Sequence, residues 1–206
     1  NEPTNFVAWG DPTLPLSLPH DLDGQGGTHF QAHNLYAFQM NRAGYEALRT
    51  LRPQRRPWLL SRSGWAGQQR YAWNWTGDTE TSWPVLRMTL ATVLGLGLSG
   101  FPYTGSDIGG FSGSPDAELM LRWFQLAALM PFFRIHSAAG TSRREPWTFG
   151  EPAISIMRAT IHLRLRLLPY IYTLAWNAAQ TGAPLLRPLL WEFPQDERFG
   201  ETSDCF

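Results

Sequence analysis

The chain has 206 residues, 43% of them hydrophobic and 17% charged, a globular composition that argues against disorder. Its 17 basic residues, all Arg, balance 17 acidic ones, so it carries no electrostatic footprint for nucleic acid or another polyanion. A single cysteine, Cys205, excludes an internal disulfide and a Cys-based zinc site and leaves the compartment undecided.

Residues 1–32 are rich in Pro, Gly, Asp and His without a sustained period and read as a long loop. From His33 to Leu51, apolar residues recur at helical spacing, and Arg52-Pro53 stops that helix. Pro57 to Arg62 is a short apolar run of buried-strand character, and Tyr71 to Trp75 is a second short strand closed by Gly77-Asp78. Thr81 or Ser82 caps a helix with Pro84 in its first turn, running to about Leu96. Leu98 to Thr104 reads as a third strand, ending in Gly105 and Asp107. Ser114-Pro115 opens a helix that stops before Pro131, with Asp116 and Glu118 at the positive end of its dipole. Pro152 opens another, interrupted or kinked at Pro169 and closed near Gly182. Leu185 to Trp191 is a last apolar run, weakened as a strand by Pro188. The uncharged run from Met88 to Ser106 is long enough for a membrane span but holds four glycines and Pro102, so helix, turn and strand fit it better.

Strands alternating with helices predict parallel crossover units, as in a β/α barrel, where chemistry sits at the strand C-terminal ends. A complete barrel takes about 250 residues. The chain opens at Asn1-Glu2-Pro3 rather than Met and closes at Ser203-Asp204-Cys205-Phe206, and it reads as a segment of something longer.

The densest chemistry lies from Ser61 to Asp78, where glycines allow close backbone approach, Trp faces can stack on a sugar ring, and Arg and Asp can bind hydroxyls. Asp78 follows a strand and a Gly beside Trp75. A carboxyl against an aromatic wall keeps its proton to higher pH, which suits a general acid. Spacing alone favours the plainer reading, a turn Asp that caps the helix starting near Ser82.

These residues resemble glycoside hydrolase family 31. The resemblance is carried by Arg62 through Trp75-Thr76-Gly77-Asp78, then Gly105-Ser106-Asp107-Ile108-Gly109-Gly110-Phe111, then Pro131-Phe132-Phe133-Arg134-Ile135-His136. His33-Asn34-Leu35-Tyr36 matches another family segment, and Asn1-Glu2-Pro3 looks like the tail of its nucleophile signature. The resemblance implies the C-terminal part of a (β/α)8 TIM barrel, truncated at both ends, with residues 1–206 forming one partial catalytic domain. It implies Asp78 as general acid/base, Arg62 and His136 as binders of the cleaved sugar, Trp75 and Phe111 as aromatic walls, and Asp107 as a pocket carboxylate near Arg62. Glu2 takes a supporting catalytic role. Thr79 stands where the family usually has Asn, which bears on contacts beyond the cleaved sugar. The nucleophilic Asp falls two residues before Asn1, so the isolated segment is expected not to complete a turnover.

The implied activity is a retaining α-glucosidase acting by double displacement on an oligosaccharide or α-glucoside, with no cofactor and no metal. An α-xylosidase, an α-glucosyl transferase or a non-catalytic carbohydrate-binding barrel are the alternatives. No nucleic acid or membrane partner is implied, and the oligomeric state is open.

Other signals have plainer readings. His29 and His33, with His20, Asp21 and Asp23 nearby, read as exposed loop residues before a metal cluster, since the Glu of a His-Glu-x-x-His helix is lacking. His162 reads as structural, Arg55-Arg56 and Arg143-Arg144 as solvated pairs, and the five Met as core filling. Asn74-Trp75-Thr76 matches a glycosylation sequon inside the expected pocket wall. The glycines from 105 to 113 lack nucleotide-binding spacing.

Overall fold

The structure, a computed structural model, describes residues 13–199. Its elements divide into two units, one running to Asn74 and the other starting at Trp75. In the first, strands β1 (Pro19–His20) and β2 (Gly27–Thr28) form a small antiparallel hairpin. Strands of two residues leave no alternation for a sequence to display, and so this stretch reads as loop. Helix α1 (His29–Leu51) starts a turn earlier than the apolar period predicts. Its N-cap is Thr28, whose backbone N–H donates to Oε1 of Gln31 at 3.0 Å, half of a capping box. Phe38 and Tyr45 of α1 pack edge-on against Tyr71, with ring centroids 5.5 and 5.6 Å away. Strands β3 (Leu60–Ser61) and β4 (Trp73–Trp75) are parallel, with Leu60 opposite Trp73 and Ser61 opposite Asn74.

The second unit continues with α2 (Trp83–Leu98), β5 (Thr104–Asp107), α3 (Ala117–Ala127), β6 (Phe132–Arg134), α4 (Ala153–Thr181) and the single turn α5 (Leu189–Glu192). β5 and β6 are parallel, with Gly105, Ser106 and Asp107 opposite Phe132, Phe133 and Arg134. Just past β4, the Thr76 N–H donates to the Gly105 carbonyl at 3.1 Å. Parallel strands joined through helices are the βα units that the alternation predicts. Behind the strands, Val93 of α2, Met120, Trp123 and Phe124 of α3, and Met157 of α4 close a core around Ile108 and Met130. Met40 and Met88 are exposed, so core filling accounts for the other three methionines.

Several elements depart from the apolar-run reading. The third strand is Thr104–Asp107, while Leu98 ends α2. Its residues are small and polar because its neighbours require it: a Cβ on Gly105 would lie 2.6 Å from the Phe132 Cβ and carbonyl oxygen, and Ser106 Oγ accepts the buried Trp123 Nε1–H at 3.1 Å. β6 is a strand where the sequence shows only Pro131 ending a helix. Leu185–Trp191 is not a strand; Pro188, with no N–H to give a ladder, is the N-cap of α5. Helix α4 runs through Pro169 as one element, and Leu165, whose carbonyl loses its donor there, is 55% exposed and open to water. Among the described residues no helix is long and apolar enough to cross a membrane.

Candidate active site

The C-terminal ends of β4, β5 and β6 bear Trp75, Asp107 and Arg134, and the segments after them carry Asp78, Phe111 and His136. All four β5 residues are buried, Asp107 completely. A lone carboxylate there would be costly; Arg134 Nη2 donates to its Oδ1 at 2.5 Å. Burial raises the Asp107 pKa, and the Arg134 hydrogen bond and charge oppose the rise. The charge of His136 also opposes the rise, and that of Asp78 adds to it. The guanidinium set on Asp107 Oδ1 is thus Arg134's. Arg134 also lies over the Trp75 ring, 5.5 Å from its centroid, and over Phe132 at 5.1 Å. The sequence reading gives it no role. The available signal is an Asp and an Arg closing successive parallel strands, which become register partners.

Asp78 is exposed, and it is not the cap of α2: Ser82 is, its Oγ accepting the Val85 N–H at 3.4 Å. Its turn is laced to the loop after β5. The Thr79 carbonyl accepts from Phe111 N–H at 2.7 Å and Ser112 N–H at 3.1 Å, and Thr81 Oγ1 donates to the Gly109 carbonyl at 2.6 Å. The contact requires glycine at position 110, where φ is +77° and a Cβ would meet the Glu80 carbonyl oxygen at 2.7 Å. Phe111 and the exposed His136 face each other, with ring centroids 5.3 Å apart and a tilt of 32°.

Buried polar atoms normally find partners. Among the described residues, those with no hydrogen-bond partner in the protein include Trp75 Nε1, Thr76 Oγ1, Thr79 Oγ1, Asp107 Oδ2 and Arg134 Nε, all at these strand ends.

The sequence model of the glycosyl hydrolases family 31 TIM-barrel domain matches residues 1–174, which hold every one of these groups. The chain belongs to glycosyl hydrolase family 31. This family-31 chain is 45% identical over its full length to Alpha-glucosidase 2 of Bacillus thermoamyloliquefaciens, covering 26% of that protein. It is 42% identical over 98% of its length to a probable glucan 1,3-alpha-glucosidase of Arabidopsis thaliana, covering 23% of it. A crystal structure of glucosidase II alpha subunit superposes with a TM-score of 0.83 at 39% identity, over 86% of this chain and 19% of that one. The chain thus spans about a quarter of the length of the curated relatives it matches.

Arg62 is in the first unit, directly after β3. Glu2 and Cys205 lie outside the described residues. His29 is buried rather than a loop residue, and its ring bridges His20 Nε2 at 3.0 Å, His33 Nδ1 at 3.4 Å and Thr13 Oγ1 at 2.9 Å. Burial, then the charges of His20 and His33, lower its pKa. No group of three or more potential metal ligands occurs among the described residues. A cavity of about 700 Å³ lies between the hairpin and α1, lined by His20, Asp21, Asp23, Tyr36 and Gln39 among others. Asn74 is buried and its Oδ1 accepts from Gln68 Nε2 at 3.1 Å, which leaves the sequon inaccessible in this fold. His162 is exposed on α4.

Proposed function

We propose that the full-length protein is a retaining α-glucosidase whose general acid/base is Asp78. One arrangement supports this reading: the exposed Asp78, the buried Asp107 and the imidazole of His136 stand at or just past the C-terminal ends of three successive strands, where several buried polar atoms have no partner among the described residues. The α-glucosidase names of the relatives support the substrate class.

In this mechanism an Asp outside the chain, two residues before Asn1 by the family signature, attacks the anomeric carbon. The glycosidic C–O bond breaks as protonated Asp78 gives its proton to the leaving oxygen. Asp78, now a carboxylate, takes a proton from water, whose oxygen displaces the enzyme carboxylate and releases the sugar. The two carboxyls need a separation of about 5–5.5 Å. Asp107, fixed by Arg134, is the pocket carboxylate that the resemblance implies, and the exposed His136 donates to or accepts from a sugar hydroxyl. Trp75 and Phe111 supply apolar faces to the ring. Arg62 as a hydroxyl-binding guanidinium and Glu2 as a supporting carboxylate rest on the resemblance of their segments.

The test is the anomer released first. Full-length protein incubated with an α-linked glucose disaccharide and followed by proton NMR should release α-glucose before mutarotation. Initial β-glucose, or no glucose at all, would overturn the proposal.

A further inference from the structure

Arg143 and Arg144 read in the sequence as a solvated pair, but only Arg143 is exposed; Arg144 is 3% exposed. Burying a guanidinium demands partners of good geometry, and those of Arg144 are backbone carbonyls. Its Nη1 and Nη2 donate to the carbonyls of Gly110 and Gly113, which bracket Phe111 and Ser112. Burial pulls its pKa down while the charge of Asp107 pulls it up.

The gripped loop has little stiffness of its own, since Gly109, Gly110 and Gly113 sit at φ of +87°, +77° and +88°. Yet it joins two parts of the site. Phe111 N–H donates to the carbonyl of Thr79, next to Asp78, and the Phe111 carbonyl accepts at 3.0 Å from Ala138 N–H, two residues past His136. A planar fork with two donors in fixed geometry suits such a hinge point better than a flexible ammonium.

We propose that Arg144 is a positioning residue: by clamping the Gly110 and Gly113 carbonyls it sets the loop that aims the Asp78 turn against the Phe111–His136 wall. The reaction it serves is the glycosidase reading above; the clamp itself stands apart from that reading.

The experiment compares wild type, Arg144→Met and Arg144→Lys in the full-length protein by amide hydrogen exchange and by kinetics on two substrates. In Arg144→Met the Phe111, Ser112 and Ala138 amides should exchange about tenfold faster or more, with the Ile108 amide in the strand pair unchanged. For an α-linked disaccharide, which needs acid assistance, kcat/KM should fall about 100-fold. For an aryl α-glucoside with a good leaving group it should fall less than about tenfold. Arg144→Lys, which keeps the charge but not the fork, should show a smaller change at the same amides, and it decides the matter if Arg144→Met does not fold. Unchanged exchange at those amides, or equal losses on both substrates, would overturn the inference. A wild type inactive on both substrates would sink the glycosidase reading instead, and the exchange data would still decide the clamp.

Discussion

Asp107 and Arg134 are register partners at the ends of two parallel strands, and the buried carboxylate spends one oxygen on the guanidinium while the other has no partner among the described residues. The arrangement is asymmetric, with the Asp107 side chain 0% and the Arg134 side chain 29% exposed. Taking away the acid leaves a cation that reaches water, whereas taking away the cation strands an anion in the interior.

Arg134→Met should therefore cost about 3 kcal/mol of unfolding free energy, the scale for breaking a buried pair from one side. Adding Asp107→Asn to that variant should restore much of the loss, because the stranded charge is gone. Urea unfolding of the two single variants and the double variant in full-length protein reads the coupling. Strictly additive effects would show that the two groups do not act as a pair.

The same burial gives a pH dependence. Asp107 is pushed above its ordinary 3.8 by desolvation, with Arg134 opposing. A carboxyl with a raised folded pKa keeps its proton where the unfolded chain has already released one. Stability then falls as pH rises from the ordinary value through the folded one, and levels off above it. Asp107→Asn removes this titration. The stability of wild type minus that of Asp107→Asn, from denaturant unfolding at a series of pH values, should decline from pH 3.8 upward. A difference that grows instead would mean that the Arg134 contact outweighs desolvation.

Asp78→Ala separates acid from scaffold. Loss of a general acid typically costs about 10²–10⁴-fold. In full-length protein that loss should fall on kcat/KM for an α-linked disaccharide, while the first step on an aryl α-glucoside with a good leaving group is largely spared. Equal losses on both substrates would remove Asp78 from the proton-transfer role.

Helices α2, α3 and α4 and the parallel βα order are legible in the chain because amphipathic spacing, Pro near N-termini and Gly182 at a C-terminus are local signals. The positions Trp75, Asp78, Asp107, Phe111 and His136 are legible for a different reason: their motifs stand in family order, and the family-31 match covers them. β5 and β6 are less so, since strands this short that carry Gly, Ser, Asp and Arg into the interior look polar until their partners are known.

The sequence by itself settles that the chain is a family-31 α/β segment, because aromatic, glycine and carboxyl residues recur in a fixed linear pattern. Only the tertiary structure decides where the charges find their partners: that Arg134 holds Asp107, and that one of two adjacent arginines is buried on loop carbonyls. The reason is physical. A charge's partner and its exposure depend on strand register and packing between residues about thirty positions apart, and neighbouring letters in the chain carry no trace of either.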